Sequence, residues 1–265
     1  MKHPHRLKVD TQSNWLRRAD TQRLLALEGN WLGDWMCQLY GRHVLYCGID
    51  QNPKFLLRSP GQHCFRLGMP WQQGLVDVQA QVEDDSWPLA EDSLDVVVLQ
   101  HCLDMTIRPH QMIREATRSL VPGGYLIVAG FNPYSWWGGL RAVRTLSSTR
   151  LPWISNPVSP GRLTDWLTLL DFRLESLTSA AHLWPLQIGS EKASRRVDRV
   201  MAGSWLPGNI YILVARKTVA GMTTIRPKLK KAAEPRLGFA VPAARVAEHD
   251  EPGQIPPGLK ENLCR

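Results

Sequence analysis

Residues 94–133, LDVVVLQHCLDMTIRPHQMIREATRSLVPGGYLIVAGFNP, decide the fold of this chain. Two short apolar runs, Leu94–Leu99 and Tyr125–Ala129, flank an amphipathic segment, Pro109–Leu120, which Pro122-Gly123-Gly124 is expected to end. Such runs favour buried strands, and one helical pattern between them is typical of a strand–helix–strand unit in a parallel sheet. Ligands of open α/β sheets bind beyond the carboxyl ends of the strands. We therefore expect the chemistry where the two apolar runs turn polar.

The same patterning predicts further elements on both sides of this unit. Residues 13–40 carry two helical patterns, which we expect to separate at Gly29-Asn30. Further strands are predicted at Val44–Ile49, Cys64–Leu67, Val76–Val82, Asp171–Thr178 and Ile210–Ala215, and further helices at residues 136–146, 160–170 and 191–204.

The expected architecture is an α/β fold with a mostly parallel, seven-stranded sheet and helices on both faces. We expect a helical N-terminal cap over residues 1–42 and the α/β domain over residues 43–218. Residues 219–265 form a basic, Pro-rich tail without hydrophobic periodicity, which we expect to be disordered.

The composition limits the cell compartments and the kinds of binding partner that we expect for this protein. No apolar run approaches the about 20 residues that a membrane-spanning helix needs, and the N-terminus lacks the apolar core of a signal peptide. The five cysteines share no metal-ligand spacing. We expect a cytoplasmic protein with no metal site and no membrane partner. The net charge of +8 leaves a nucleic-acid partner open, although much of the excess lies in the last fifty residues, where a solvated tail is the favoured interpretation.

Several of these motifs resemble a known superfamily. The order WPLAEDSLDVVV, then Arg-Glu, then LVPGG resembles the second half of the class I S-adenosylmethionine-dependent methyltransferases. The stretches LQHCLDM, RPHQMIREATRSLVPGG and GFNPYSWWG are similar to a small bacterial methyltransferase-like group, and the similarity continues through NIYILVARK near residue 209. The resemblance implies the Rossmann-like class I methyltransferase fold.

The resemblance also implies S-adenosylmethionine as the cofactor and assigns residues to it. Class I enzymes hold the cofactor with a Gly-rich turn after the first strand, an acid ending the second, an acid after the third and the end of the fourth. Here the turn is degenerate, with one glycine, and CFRLGMPW offers no acid at the second strand. The cofactor-binding residues expected from this pattern are Gly48, Asp50, Glu83, Asp84 and Gln100.

Two residues after the fourth strand are catalytic candidates. His101 has a side chain that takes up a proton near neutral pH and is a candidate general base, although a hydrogen-bonded structural role is the favoured interpretation. Asp104 lies three residues further on, where it can orient His101, contact the acceptor or cap a helical turn. On the acceptor side we expect Phe131, Asn132 and Trp136, with a structural turn and core packing as the alternatives.

Three functions remain open from the sequence. The first is a methyltransferase acting on an unknown acceptor, for which a small molecule is favoured. The second is a catalytically inactive methyltransferase-like binding or regulatory protein. It predicts a crevice filled by the side chains of Tyr46, Gln51 or Trp87. The third is an RNA-modifying methyltransferase that uses the basic tail as an electrostatic tether.

Overall fold

The computed structural model describes residues 15–60, 63–70, 72, 78–84, 86–136, 138–139, 157–182, 200 and 207–218. The helices in this part of the chain are α1 (Ala19–Met36), α2 (Cys102–Met105), α3 (Pro109–Ser119) and α4 (Pro160–Leu169), with a 3-10 turn at Lys54–Arg58. The strands are β1 (His43–Gly48), β2 (His63–Gly68), β3 (Ala80–Gln81), β4 (Leu94–Gln100), β5 (Leu120–Phe131), β6 (Phe172–Ala180) and β7 (Ile210–Lys217).

The seven strands form one sheet in the order β3-β2-β1-β4-β5-β7-β6. All neighbouring pairs are parallel except those of β7, which runs antiparallel to both β5 and β6. The expected Rossmann-like class I methyltransferase fold, with a mostly parallel sheet, is confirmed. Its carboxyl ends at β1, β4 and β5 therefore lie at one edge.

The alternation of side chains along the strands divides the core into two layers. Residues such as Val96 and Val98 of β4 face α1, whose Leu32 and Met36 pack against them. Val97 and its odd-numbered neighbours face α3 and α4 in the larger cluster on the other side. Every apolar residue of β4 is buried because both faces carry a helix, which explains its continuous hydrophobic sequence.

The expected separation of the N-terminal helical segment at Gly29-Asn30 is wrong. α1 runs without interruption from Ala19 to Met36. Leu24, Leu25 and Leu32 on either side of these two residues are all buried against the sheet. Tertiary packing therefore overrides the low helix propensity of glycine and asparagine.

α3 ends at Ser119, and Pro122-Gly123-Gly124 lies within β5 rather than in a separate turn after the helix. β5 begins at Leu120, directly after α3, and pairs with β4 across a register shift between Leu94 and Val96. Gly123 takes a φ of 85°, which is costly for a residue with a side chain. The glycine therefore allows the strand to begin five residues before the apolar run at Tyr125.

Some predicted elements fall outside the described residues. This applies to residues 76–77 of the third predicted strand, to the helix at 136–146 beyond Gly139, and to nearly all of the helix at 191–204. The chain divides into two units, Met1–Val219 and Ala220–Arg265, and the second also lies outside the described residues. In the described part of the chain, no helix is long and apolar enough to span a membrane.

Candidate cofactor and acceptor site

Five of the sequence-predicted site residues meet at the carboxyl edge of the sheet. Gly48 ends β1 and pairs with Gln100, which ends β4. His101 and Asp104 follow at the beginning of α2, and Phe131 ends the neighbouring β5. The parallel register of β1, β4 and β5 brings these residues together from distant parts of the sequence.

The space beside Gly48 is filled by the protein itself. A Cβ on Gly48 would collide with the Tyr46 hydroxyl and would lie 2.7 Å from Cβ of Gln100. That hydroxyl donates to Oε1 of Gln100 at 2.7 Å and accepts from the backbone N–H of Asp50 at 3.0 Å. The Gln72 amide donates to the Gly48 carbonyl. Glycine is required here because of packing within the chain.

A buried carboxylate from α1 completes the network at the end of β4. Glu28 accepts from Nε2 of Gln100 at 2.6 Å and lies 2.7 Å from Nε2 of His101. Nδ1 of His101 lies 2.9 Å from Oδ2 of Asp104, which also accepts from the backbone N–H of Phe131 at 3.0 Å. Glu28, Gln100, His101 and Asp104 are all 0% exposed. Asp104 thus contacts both His101 and the end of β5.

Both ring nitrogens of His101 lie against a carboxylate. Burial lowers its pKa, but the charges and hydrogen bonds of Glu28 and Asp104 outweigh that effect and raise the pKa to about 10. Both ring nitrogens then donate, so neither can take a proton from an acceptor in this conformation. These surroundings support the structural interpretation of His101. Its own backbone is left-handed, with a φ of 58°.

Asp50 begins the loop after β1 and is held by the backbone around it. Its Oδ1 accepts from the N–H of Asn52 at 2.9 Å, and Arg66 donates to the carbonyls of Asp50 and Gln51 at 3.0 and 3.1 Å. Burial raises the pKa of Asp50 despite the Asn52 hydrogen bond, and the nearby Glu28 carboxylate raises it further. The cations of Arg66 and Lys54 lower this pKa, but they offset the effect of burial only in part.

The two acids after β3 differ in their surroundings. Glu83 is exposed, whereas Asp84 is half-buried and its Oδ2 accepts from the Thr106 hydroxyl. The other carboxylate oxygen of Asp84, Oδ1, is buried and has no hydrogen-bond partner among the described residues. Of the two candidates left open by the sequence, Asp84 is the more buried, and its Oδ1 is shut off from solvent.

The acceptor-side candidates divide between the core and the surface. Phe131 is buried and its ring lies 4.2 Å from that of His101. Oδ1 of Asn132 accepts from the N–H of Tyr134 at 3.1 Å, which closes a local turn. Trp136 is 39% exposed and donates to the carbonyl of His182 at 2.8 Å. Asn132 thus forms a local turn, whereas Trp136 is not packed in the core.

A cavity of about 560 Å³ opens between α1 and the loop after β1. Its size lies within the range of small-molecule sites. One wall is α1 and the other is the loop with the 3-10 turn, and the lining residues are Gln22, Leu25, Ala26, Gly29, Asn30, Asp50, Asn52, Lys54, Phe55 and Arg58. Asp50 is the only one of them that the sequence analysis assigned to the cofactor.

Sequence reasoning missed Glu28, Lys54 and Arg58. One signal was available for Glu28, since it stands four residues from both Leu24 and Leu32, on the apolar face of an amphipathic helix. A charge in that position requires a buried partner. No comparable signal marks Lys54 or Arg58, because exposed cations in loops are common. In the described part of the chain, no cluster of His, Cys, Asp and Glu is arranged to hold a metal ion.

Comparison with known proteins agrees with this geometry. Residues 32–128 match the family model of the methyltransferase domain. The uncharacterised protein YafS of Escherichia coli K12 is 31% identical over 218 residues, which cover 81% of this chain and 84% of YafS. The chain therefore belongs to the same family as YafS, and its residues 32–128 match a methyltransferase domain.

Solved structures share the fold at low sequence identity. A Thermotoga maritima S-adenosylmethionine-dependent methyltransferase superposes with a TM-score of 0.54 at 16% identity, covering 82% of this chain and 100% of that one. A chain from the complex of the Haloferax volcanii Trm112 methyltransferase activator with a methyltransferase gives 0.55 at 15%, covering 83% and 99%. The [4+2]-cyclase SpnF gives 0.50 at 18%, covering 77% and 84%. The same fold thus also occurs in a cyclase.

Proposed function

We propose that this protein transfers a methyl group from S-adenosylmethionine to a small-molecule acceptor, and that the cavity between α1 and the loop after β1 holds the cofactor. The observation that carries the proposal is the charge pattern of the cavity. Asp50 supplies an anion, and Lys54 and Arg58 supply cations, within one cavity of about 560 Å³. It lies at the carboxyl end of β1, where open α/β sheets bind ligands.

The lining residues fit the cofactor group by group. S-adenosylmethionine carries a sulfonium and an ammonium, which complement the Asp50 carboxylate, and a carboxylate, which complements Lys54 and Arg58. The amides of Gln22, Asn30 and Asn52 can hydrogen-bond a ribose, and the apolar Leu25 and Phe55 can contact an adenine; all of these residues line the cavity. Because burial raises the pKa of Asp50, a bound cation would favour its ionised form.

The cofactor, when bound, supplies an electrophilic methyl group. The task of the chain is to hold acceptor and cofactor close and aligned and to exclude water, and positioning of this kind supplies much of a rate enhancement. α1 contributes by forming one wall of the cavity. We propose that His101 and Asp104 hold the ends of β4 and β5 in position, because both nitrogens of His101 are occupied by carboxylates.

Calorimetric titration with S-adenosylmethionine and S-adenosylhomocysteine tests this proposal. We expect micromolar binding that weakens about tenfold or more in Asp50→Asn, since charge-assisted hydrogen bonds contribute about 1.5–3 kcal/mol. Asp92→Asn is the matched control, because Asp92 lies at the opposite end of the strands and contacts Lys217 at 3.0 Å. No heat from folded protein at millimolar cofactor, or equal affinities for wild type and Asp50→Asn, would reject the proposed site.

A second function, a binding or regulatory protein without catalysis, is favoured by one observation. Tyr46 and Gln72 occupy the space around Gly48, where the superfamily resemblance expects the cofactor to approach the backbone. Trp87, which was also expected to fill the crevice of a protein without catalysis, is buried. Cofactor binding without transfer of a labelled methyl group to any acceptor in a broad metabolite panel would favour this second function.

A further inference from the structure

We propose that α1 opens and closes as a unit over the carboxyl ends of β1, β4 and β5, and that Glu28 holds it closed. Under the proposed function, this movement admits the acceptor. The inference depends on the proposed function only for the identity of the molecule that enters. The movement itself is a property of the chain and can be tested without a ligand.

With α1 in place, the ends of β4 and β5 are shut off from solvent. Leu24 and Leu25 of α1 pack with Ile49, Met105 and Phe131 in a small apolar cluster that is separate from the two main layers. Gln100, His101 and Asp104 beneath it are 0% exposed. A molecule that is to reach these strand ends therefore needs α1 to move.

The centre of this interface is polar, which favours two discrete states. Glu28 faces Gln100 and His101 at 2.6 and 2.7 Å, without contact to water. When α1 leaves, the carboxylate and the imidazolium are hydrated again. The open state therefore recovers the hydration free energy that these two groups lose in the closed state. Thr21, also on the buried face of α1, has a hydroxyl with no hydrogen-bond partner among the described residues.

α1 is a weak helix by itself and depends on its contacts with the sheet. Arg18 at its N-cap forms no side-chain capping hydrogen bond. Gly29 and Gly33 lie in its interior, and glycine is among the weakest helix formers. Since helix formation is cooperative, α1 will unfold as one segment when it loses the sheet. The missing cap and the interior glycines thus define α1 as the segment that moves.

Amide hydrogen exchange of the full-length wild-type protein tests the movement directly. We expect the amides of α1 to exchange through an opening that occurs more often than global unfolding, while the buried amides of β4 and β5 exchange only through global unfolding. If α1 exchanges at the same slow rate as β4 and β5, α1 is part of one cooperative core and the proposal is rejected.

Two substitutions are expected to shift this opening in opposite directions. Glu28→Gln keeps the shape but removes the charge that faces His101, so exchange in α1 should rise at least about tenfold with little change in β4. Gly29→Ala should slow it about fivefold, since a Cβ there meets only Cδ1 of Phe55 at 3.8 Å. The exposed Arg23→Gln on the same helix is the control and should leave exchange unchanged.

The outcomes separate this inference from the proposed function. If Glu28→Gln raises exchange equally in α1 and in β4, Glu28 supports the whole core and does not hold α1 closed. Should that variant fail to fold, Gly29→Ala remains, and an unchanged exchange rate in α1 of that variant rejects the proposal. Saturating S-adenosylhomocysteine should slow exchange in α1; without this effect the cofactor site fails while the movement stands.

Discussion

At the residue scale, Gly48 differs from the role that its sequence context indicates. A glycine after the first strand resembles the cofactor loop of the superfamily, yet the structure places the Tyr46 hydroxyl and Gln100 where its side chain would be. A substitution at Gly48 therefore reports on packing. It cannot serve as a selective probe of cofactor binding.

We predict that Gly48→Ala lowers the free energy of unfolding by about 1–3 kcal/mol, the usual cost of overpacking a core. Adding Tyr46→Phe removes the hydroxyl that collides with the new methyl group and should recover part of the loss. Urea denaturation of the single and double variants measures both effects. Gly161→Ala is the control, because nothing lies within 4 Å of a Cβ at that position. Additive losses in the double variant would contradict this account.

The charge of His101 gives a prediction for pH. Its pKa is raised to about 10 from an ordinary value of 6.5, so its ionisation stabilises the folded state fully below pH 6.5. That contribution is then lost as the pH rises through about 10. Heteronuclear NMR should find the imidazole still protonated at pH 8, and His101→Gln should remove part of the stability loss between pH 7 and 10. A His101 resonance that titrates near 6.5 would contradict the buried ion pair.

The site could be predicted from sequence only in part, and physical reasons explain the limit. Strand ends turn polar where ligands bind, so the positions of Gln100, His101 and Asp104 at the edge of the sheet followed from local pattern. The partner of His101 did not, because Glu28 lies 73 residues away and only the fold brings it near. The pattern of charges around the cavity depends on the same long-range contacts.

At the element scale, the buried central strands were the most predictable part. β4 and the apolar part of β5 are continuous hydrophobic runs because helices cover both faces. The start of β5 and the continuity of α1 were not predictable, since both contain glycines that normally end an element. In each case contacts with the sheet override the local preference of the residue.

Gly123 provides a test at this scale. Because its φ is 85°, we expect Gly123→Ala to destabilise the protein by about 1–2 kcal/mol, the cost of placing an L-residue in a left-handed conformation. Chemical denaturation measures the loss. Gly139→Ala is the matched control, since a Cβ there meets nothing within 4 Å. Equal stability of the two variants would show that β5 begins differently.

At the scale of the whole molecule, the chain divides into two units at Val219. The unit Met1–Val219 contains all the described strands and the cavity. We predict that a chain ending at residue 219 folds and binds S-adenosylhomocysteine as tightly as the full chain. Circular dichroism and calorimetry on both proteins measure this. Loss of cofactor affinity in the shorter chain would contradict the assignment of the site to the first unit.

The same pair of proteins distinguishes the RNA-modifying alternative. A tail that tethers RNA would give the full chain a steep decrease of affinity with salt, with a slope of about −0.7 for each phosphate contact to a single strand. The shorter chain would then show a smaller slope. With a small-molecule acceptor we expect no difference between the two proteins in RNA binding at physiological salt.

The contact between Glu28 and His101 also has a consequence for the order in which the chain folds. Because 73 residues separate the two, α1 leaves the ribosome well before the strand that neutralises its buried carboxylate. Synthesis at about 5–20 residues per second leaves α1 without that partner for several seconds, a time in which its leucines are open to other proteins. α1 therefore cannot reach its docked position before β4 has been made, and a tag fused ahead of α1 would act on this step.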